Sequence, residues 1–348
     1  MDISTSKVFK VLDPKRIWIP ILLGVSIVFF LFYNDSEVTL ENFKIIFDAN
    51  IGGILMAFLM LLIRDAGYVY RIRTLTNQEL NWKSSIIVII LWEFASAVTP
   101  SVVGGTAVVV FVLTMEGIKF GKSLAYVMLT AILDNMFFVL AAPVVMLFTD
   151  QVFPTISGEY EKSARYFFYL SYGLIAIYTL IMSYGLFVRP RAFKWFLLKV
   201  TAIKYFKRWR EKANQYGDEI ILASGELIGK QKRYWIKICL ATVFIWCARY
   251  LMVNALVGAY EIHDFANHFV IFSRNIIMWI VMLVSPTPGS AGFAEYFFEP
   301  FFQEFLGRYT IITAILWRVM SFYPYLLLGA IFLPRWVKSR FFDAQKEA

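Results

Sequence analysis

The chain reads as an all-α, polytopic integral membrane protein, with about six full spans and two re-entrant broken hairpins arranged as an inverted-topology repeat. Three observations lead there. Of its 348 residues 59% are hydrophobic and 17% charged, and the apolar residues gather into runs of about 20, the length a helix needs to cross hydrocarbon. Two apolar regions are interrupted by proline and glycine, at Pro100-Ser101-Val102-Val103-Gly104-Gly105 and at Pro286-Thr287-Pro288-Gly289-Ser290-Ala291-Gly292. Proline lacks the N–H a helix uses and glycine weakens it, so neither stretch continues a straight helix. Non-helical backbone at membrane depth persists only where protein or a water-filled cavity satisfies it. Finally, the net charge of +9 comes from Lys and Arg that fall mostly in loops between apolar runs. That placement orients the spans and points to anionic lipid headgroups rather than nucleic acid as the basic face's partner.

Taken in order, residues 1–16 carry Lys7, Lys10, Lys15 and Arg16 and are expected in the cytoplasm. Span one follows at 17–33, without a small-residue cleavage site to make it a signal peptide. The loop 34–48 is acidic, as an outside loop can be. Span two, 49–70, returns to basic residues including Arg71 and Arg73, with Arg64 near its cytoplasmic end, where a long side chain snorkels. The runs 86–97 and 106–114 are short for spans and flanked on both sides by lysines, so 84–118 is expected as a hairpin re-entering from the cytoplasm. Two very short spans would give the same parity. Spans three (123–148) and four (166–188) lead out and back to a basic cytoplasmic loop, 189–234, in which 193–199 has the pattern of an interfacial amphipathic helix. Span five, 235–258, leads outside. A second hairpin, 269–305, and span six, 309–332, bring the chain to Arg335, Lys338 and Arg340. That basic end is cytoplasmic only if the second hairpin enters and leaves on the outside. The sequence thus forms one domain over 1–348, its halves 17–148 and 235–335 each holding one hairpin. Cys239 and Cys247 lie on one span and are expected as packing residues.

Half-helices beginning at Gly105 and near Ser290 would aim free N–H groups and the positive dipole end at the membrane centre, a setting for phosphate or carboxylate. The turns Pro100, Gly104, Gly105 and Pro288, Gly289, Ser290, Gly292 are therefore substrate-binding candidates. Arg318 lies roughly 14 Å into span six at a rise of 1.5 Å per residue, too deep to snorkel. Glu295 is its expected partner, either holding the hairpin or opening to admit a phosphate. Glu93, Asp134, Arg64, Arg249 and Arg274 are candidate counter-ions or proton carriers, with plain interhelical hydrogen bonding as the alternative. His263 and His268 fit no zinc spacing, and neither a P-loop nor a nucleophile elbow is present. No catalytic residue, metal or cofactor is expected.

The elements Pro100–Gly105, Met115-Glu116-Gly117, Ile132-Leu133-Asp134, Pro286–Glu295 and Leu316-Trp317-Arg318 together resemble the flippase-like transmembrane region of lysylphosphatidylglycerol synthases, over roughly 17–335. That region also occurs in the multiple peptide resistance factor and in archaeal proteins of dolichol-linked glycosylation. The resemblance implies movement of a phospholipid or polyprenyl-linked lipid between leaflets of the cell membrane. Thr106 stands where many members carry an acidic residue, Ser290 replaces a common second glycine, and the cytosolic aminoacyl-transferase domain is lacking, so lysyl transfer is not expected. Two other readings stay open: a membrane-embedded enzyme or accessory subunit of lipid-linked glycan or envelope-lipid synthesis, and a secondary transporter of a small anion.

Overall fold

Every regular element in the computed structural model is a helix, over the described residues 40–99, 101–154, 158–203, 207–283, 287 and 289–343. Expected span one lies outside them, as do Pro100, Pro286 and Pro288. The first α-helix among the described residues, α1 (Ile51–Leu75), starts where Asn50 Oδ1 accepts the Gly52 N–H at 2.8 Å. A second asparagine starts α2 (Trp82–Val98), Asn81 Oδ1 accepting from Ser84 N–H. The chain continues through α3 (Ser101–Met115), α4 (Phe120–Phe148) and α5 (Gly158–Ser183), which ends in a π-turn. The basic segment forms α6 (Pro190–Val200) and α7 (Arg210–Ile228). Then follow α8 (Lys232–Tyr260), α9 (Phe265–Met282), α10 (Phe293–Leu306), α11 (Thr310–Ser321) and α12 (Tyr323–Val337).

Among the described residues, six stretches are long and apolar enough to cross a membrane: Ile51–Leu75, Phe120–Phe148, Lys162–Val188, Lys232–Tyr260, Phe265–Met282 and the kinked run Phe293–Arg340. Expected spans two to six fall within these. Phe265–Met282, expected as one arm of the second hairpin, is by its 18 residues and composition also long and apolar enough for a span.

Four boundaries differ from expectation. Span two runs on to Leu75, which carries Arg71 into the helix instead of a loop. Span six is broken at Phe322, because Pro324 has no N–H to give the Met320 carbonyl and a new helix starts in its place. The half-helix expected from Gly105 is already helical at Ser101. The one expected near Ser290 begins only at Phe293, since Gly289, Ser290 and Gly292 hold φ of 57°, 53° and 86° and cannot be helical.

Helix α1 packs along most of α8. Glycines allow it: a Cβ on Gly53 would fall 2.6 Å from Ala259 Cβ, and one on Gly67 2.7 Å from Ile245 Cγ1. The buried apolar side chains divide into two clusters. One joins the α2–α3 hairpin to the end of α1, the start of α4, α7 and α12. The other joins α9 and α10 to the remainder of α1 and α4, and to α5, α8 and α11.

Candidate functional site

Between these two apolar clusters lies a cavity of about 530 Å³, within the range of small-molecule sites. Its wall takes Phe138, Ile175 and Trp317 from one cluster and Ile72, Ile89 and Phe322 from the other. Charges stud this wall. Arg71 from α1, Asp134 from α4, Glu93 from α2, Arg249 from α8 and Arg318 from α11 all line it. Charges cannot be left unpaired in a dry interior, and each of these faces a counter-charge, but the pairs are not equally tight.

The Arg71–Asp134 pair is bidentate: Nη1 donates to Oδ1 and Nη2 to Oδ2. Arg71 also donates to Thr242 Oγ1 at 3.0 Å, and Trp246 Nε1 donates to Asp134 Oδ1 at 2.9 Å. This knot ties α1, α4 and α8 together. Arg318 Nε lies 2.8 Å from Glu295 Oε1, with both side chains buried; the contact is an ion pair out of line for a hydrogen bond. The other Glu295 oxygen accepts the Gly292 N–H at 2.6 Å, capping α10. The positive end of α10 is therefore partly answered by the carboxylate of its own third residue. Arg318 Nη2 donates to Gly289 O at 3.3 Å, and the guanidinium centre stacks 3.9 Å from the Phe322 ring centroid. By contrast, Arg249 stands 3.7 Å from Glu93 and donates a long 3.4 Å bond to Tyr68 OH.

The turn Gly289–Gly292 binds the two halves sterically. A Cβ on Gly289 would meet Phe322 Cε2 at 2.2 Å and Ala97 Cα, at the end of α2, at 3.3 Å. The loop of one hairpin thus abuts the arm of the other at the cavity. Gly105 serves the first hairpin likewise, its Cβ position lying 2.5 Å from Ser96 Oγ.

Of the candidates read from the sequence, Gly289, Ser290, Arg318, Glu93, Asp134 and Arg249 line the cavity. Gly292 and Glu295 stand behind Arg318; Gly104 and Gly105 lie near the start of α3, where Gly105 abuts Ser96 of α2. Pro100 and Pro288 lie outside the described residues. Arg64 does not snorkel. It is 1% exposed, pairs with Asp65 at 2.7 Å and donates to Tyr325 OH, which in turn donates to Asp65. Local partners on α1 and α12 make burial cheaper than reaching an interface from mid-helix. Arg274 is likewise no part of the cavity wall: it donates to Gln151 O at 2.7 Å, Phe301 O at 3.1 Å and Glu304 at 2.8 Å, fastening the turn after α4 to α10. Arg71, Tyr68, Trp246 and Asn275 were missed. Arg64, Tyr68 and Arg71 recur at i, i+4 and i+7, as do Thr242, Trp246 and Arg249 on α8. A polar stripe at that spacing inside an apolar helix marks a face turned to other helices.

Residues 17–329 match the family model described as the lysylphosphatidylglycerol synthase TM region. A UPF0104 membrane protein of Archaeoglobus fulgidus is 26% identical over 328 residues, covering 90% of this chain and 94% of the archaeal protein.

Proposed function

The chain belongs to the lysylphosphatidylglycerol synthase transmembrane family, and from that premise we propose that this integral membrane protein moves a phosphate-bearing lipid, a phospholipid or polyprenyl-linked lipid, between leaflets. One observation carries the reading: a cavity rich in arginine lies on the seam between two apolar clusters, each built around one broken hairpin. A phosphate headgroup in that seam meets guanidinium groups, which suit its oxygens. Opening one side of the seam and then the other passes the headgroup across while the tails stay in hydrocarbon. In this reading the hairpins enter from opposite faces as an inverted repeat, and both termini are cytoplasmic, in a bacterial-type inner membrane. The basic α6–α7 segment rests on anionic headgroups. Trp195 and Phe196 on α6 are exposed, with Lys199 Nζ 4.4 Å from the Trp195 ring centroid, a mixed apolar and cationic face of the kind that lies at a membrane surface. The protein acts on the position of the lipid and leaves its bonds intact.

Reconstitution in liposomes with a head-labelled phospholipid tests this. The expected result is exchange between leaflets faster than in protein-free vesicles, slowed by Ala131→Trp, which sets an indole into the cavity from α4. No exchange above the protein-free rate with any anionic phospholipid or polyprenyl phosphate overturns it. A chemically altered lipid recovered afterwards would favour an enzyme; uptake of labelled anion without lipid movement would favour a small-anion carrier.

A further inference from the structure

We infer that the cavity wall formed by α5, α8 and α9 is an oxyanion subsite centred on Arg249, built to take a phosphate group; this deepens the lipid-transport reading and rests on it. Among the described residues, five buried polar atoms in residues of this wall have no hydrogen-bond partner: Ser171 Oγ, Arg249 Nε, Tyr250 OH, Asn275 Nδ2 and Trp279 Nε1. Ser171, Tyr250 and Asn275 are 0%, 1% and 2% exposed. Buried polar atoms are nearly always paired, because leaving one unpaired forfeits its hydration with nothing in return. Here they gather in one wall.

Their chemistry is one-sided. Each of the five can donate a hydrogen bond, and three of them, the indole, the amide nitrogen and the guanidinium nitrogen, can only donate. Such a wall, with three donor-only atoms and a guanidinium among them, suits a group with several acceptor oxygens. The atoms are also neighbours. Asn275 and Trp279 are a turn apart on α9. The Arg249 guanidinium centre lies 4.8 Å from the Trp279 ring centroid and 5.2 Å from that of Trp246, and Trp246 stands 6.0 Å from Tyr250. Helix α5, carrying Ser171, packs on α9. The indoles hold the guanidinium plane, and its carboxylate Glu93 is 3.7 Å away, against 2.8 Å for the Arg318–Glu295 pair. Arg249 is thus the cavity arginine least committed to a protein partner. A phosphate can take its charge-assisted bonds without first breaking a tight pair.

The test titrates the purified full-length protein in detergent, read by tryptophan fluorescence, with inorganic phosphate and separately with short-chain dihexanoyl phosphatidylglycerol. Arg249→Gln, Asn275→Leu and Trp279→Phe are each expected to raise the Kd for both probes, by about tenfold or more for Arg249→Gln and several-fold for the others. Asn275→Leu removes a buried donor without a partner, so its melting temperature is expected to hold or rise while binding falls, which a merely structural asparagine would not do. Should only the lipid probe bind, with the same losses, the phosphate is recognised as part of a headgroup; should both bind, as the phosphate itself; either supports the subsite. Wild-type Kd values in all three variants overturn it, and if wild-type protein still exchanges lipid in liposomes, the transport reading survives that loss. Conversely, loss of phosphate binding in the variants of a protein that moves no lipid leaves the subsite standing and removes the transport reading.

Discussion

The two broken hairpins use one device to different ends. The second, α9–α10, is sealed by its neighbours: Glu295 caps its own helix and pairs with Arg318 of α11 at 2.8 Å, and Gly289 is wedged between Phe322 and Ala97. The first, α2–α3, leaves its carboxylate in the cavity, where Glu93 reaches Arg249 only at 3.7 Å. A sealed pair in low dielectric is scaffold, costly to break; a loose pair beside open volume is a charge that a ligand can borrow. The contrast separates a cavity arginine locked in a tight ion pair from one held loosely.

The sharpest way to break the contrast is Glu295→Ala. It strands Arg318 in a site where that side chain is 7% exposed and should cost about 3–5 kcal/mol, read as a large fall in melting temperature in detergent. A loss below about 1 kcal/mol would place this pair alongside the loose one. Gly289→Ala comes next. The new methyl would meet Phe322 at 2.2 Å on backbone of φ 57°, for about 2–4 kcal/mol of overpacking and strain. Smaller is the coupling between Glu93 and Arg249. A double-mutant cycle with Glu93→Gln and Arg249→Gln should return about 1 kcal/mol or less, while lipid exchange falls much further than stability. Coupling as large as that of Glu295 with Arg318 would erase the distinction drawn here. Smallest is a change off both hairpins. Trp195→Ala on α6 should leave the melting temperature within the shift expected of about 0.5 kcal/mol, and show itself only as weaker pelleting of α6–α7-bearing protein with anionic vesicles.

Much of the fold is legible before any coordinates. The apolar runs that become α1, α4, α5 and α8 are long, and α1, α4 and α8 start after Asn50, Lys119 and Gln231, so their existence follows from composition. The breaks are legible too, because proline and glycine act through their own backbone. What escaped was set by neighbours. α7 is polar enough to pass for loop, yet it is a helix packed on α4 and α6, where Gly217 gives way to the Lys194 stem and Lys194 Nζ meets Asp218 at 2.6 Å. Arg64 and Arg71 looked like membrane-edge residues and are among the deepest charges among the described residues. Their burial depends on Tyr325 and Asp134, far along the chain.

The sequence by itself determined which apolar segments are helical, where two of them break, and that charges must lie at membrane depth, since each follows from the chemistry of a residue and its near neighbours. Only the tertiary structure decided which charges seal one another and which stand open. A difference of about an ångström between 2.8 and 3.7 Å depends on how helices rotate and approach, and helical periodicity names a residue's face without naming what will press against it.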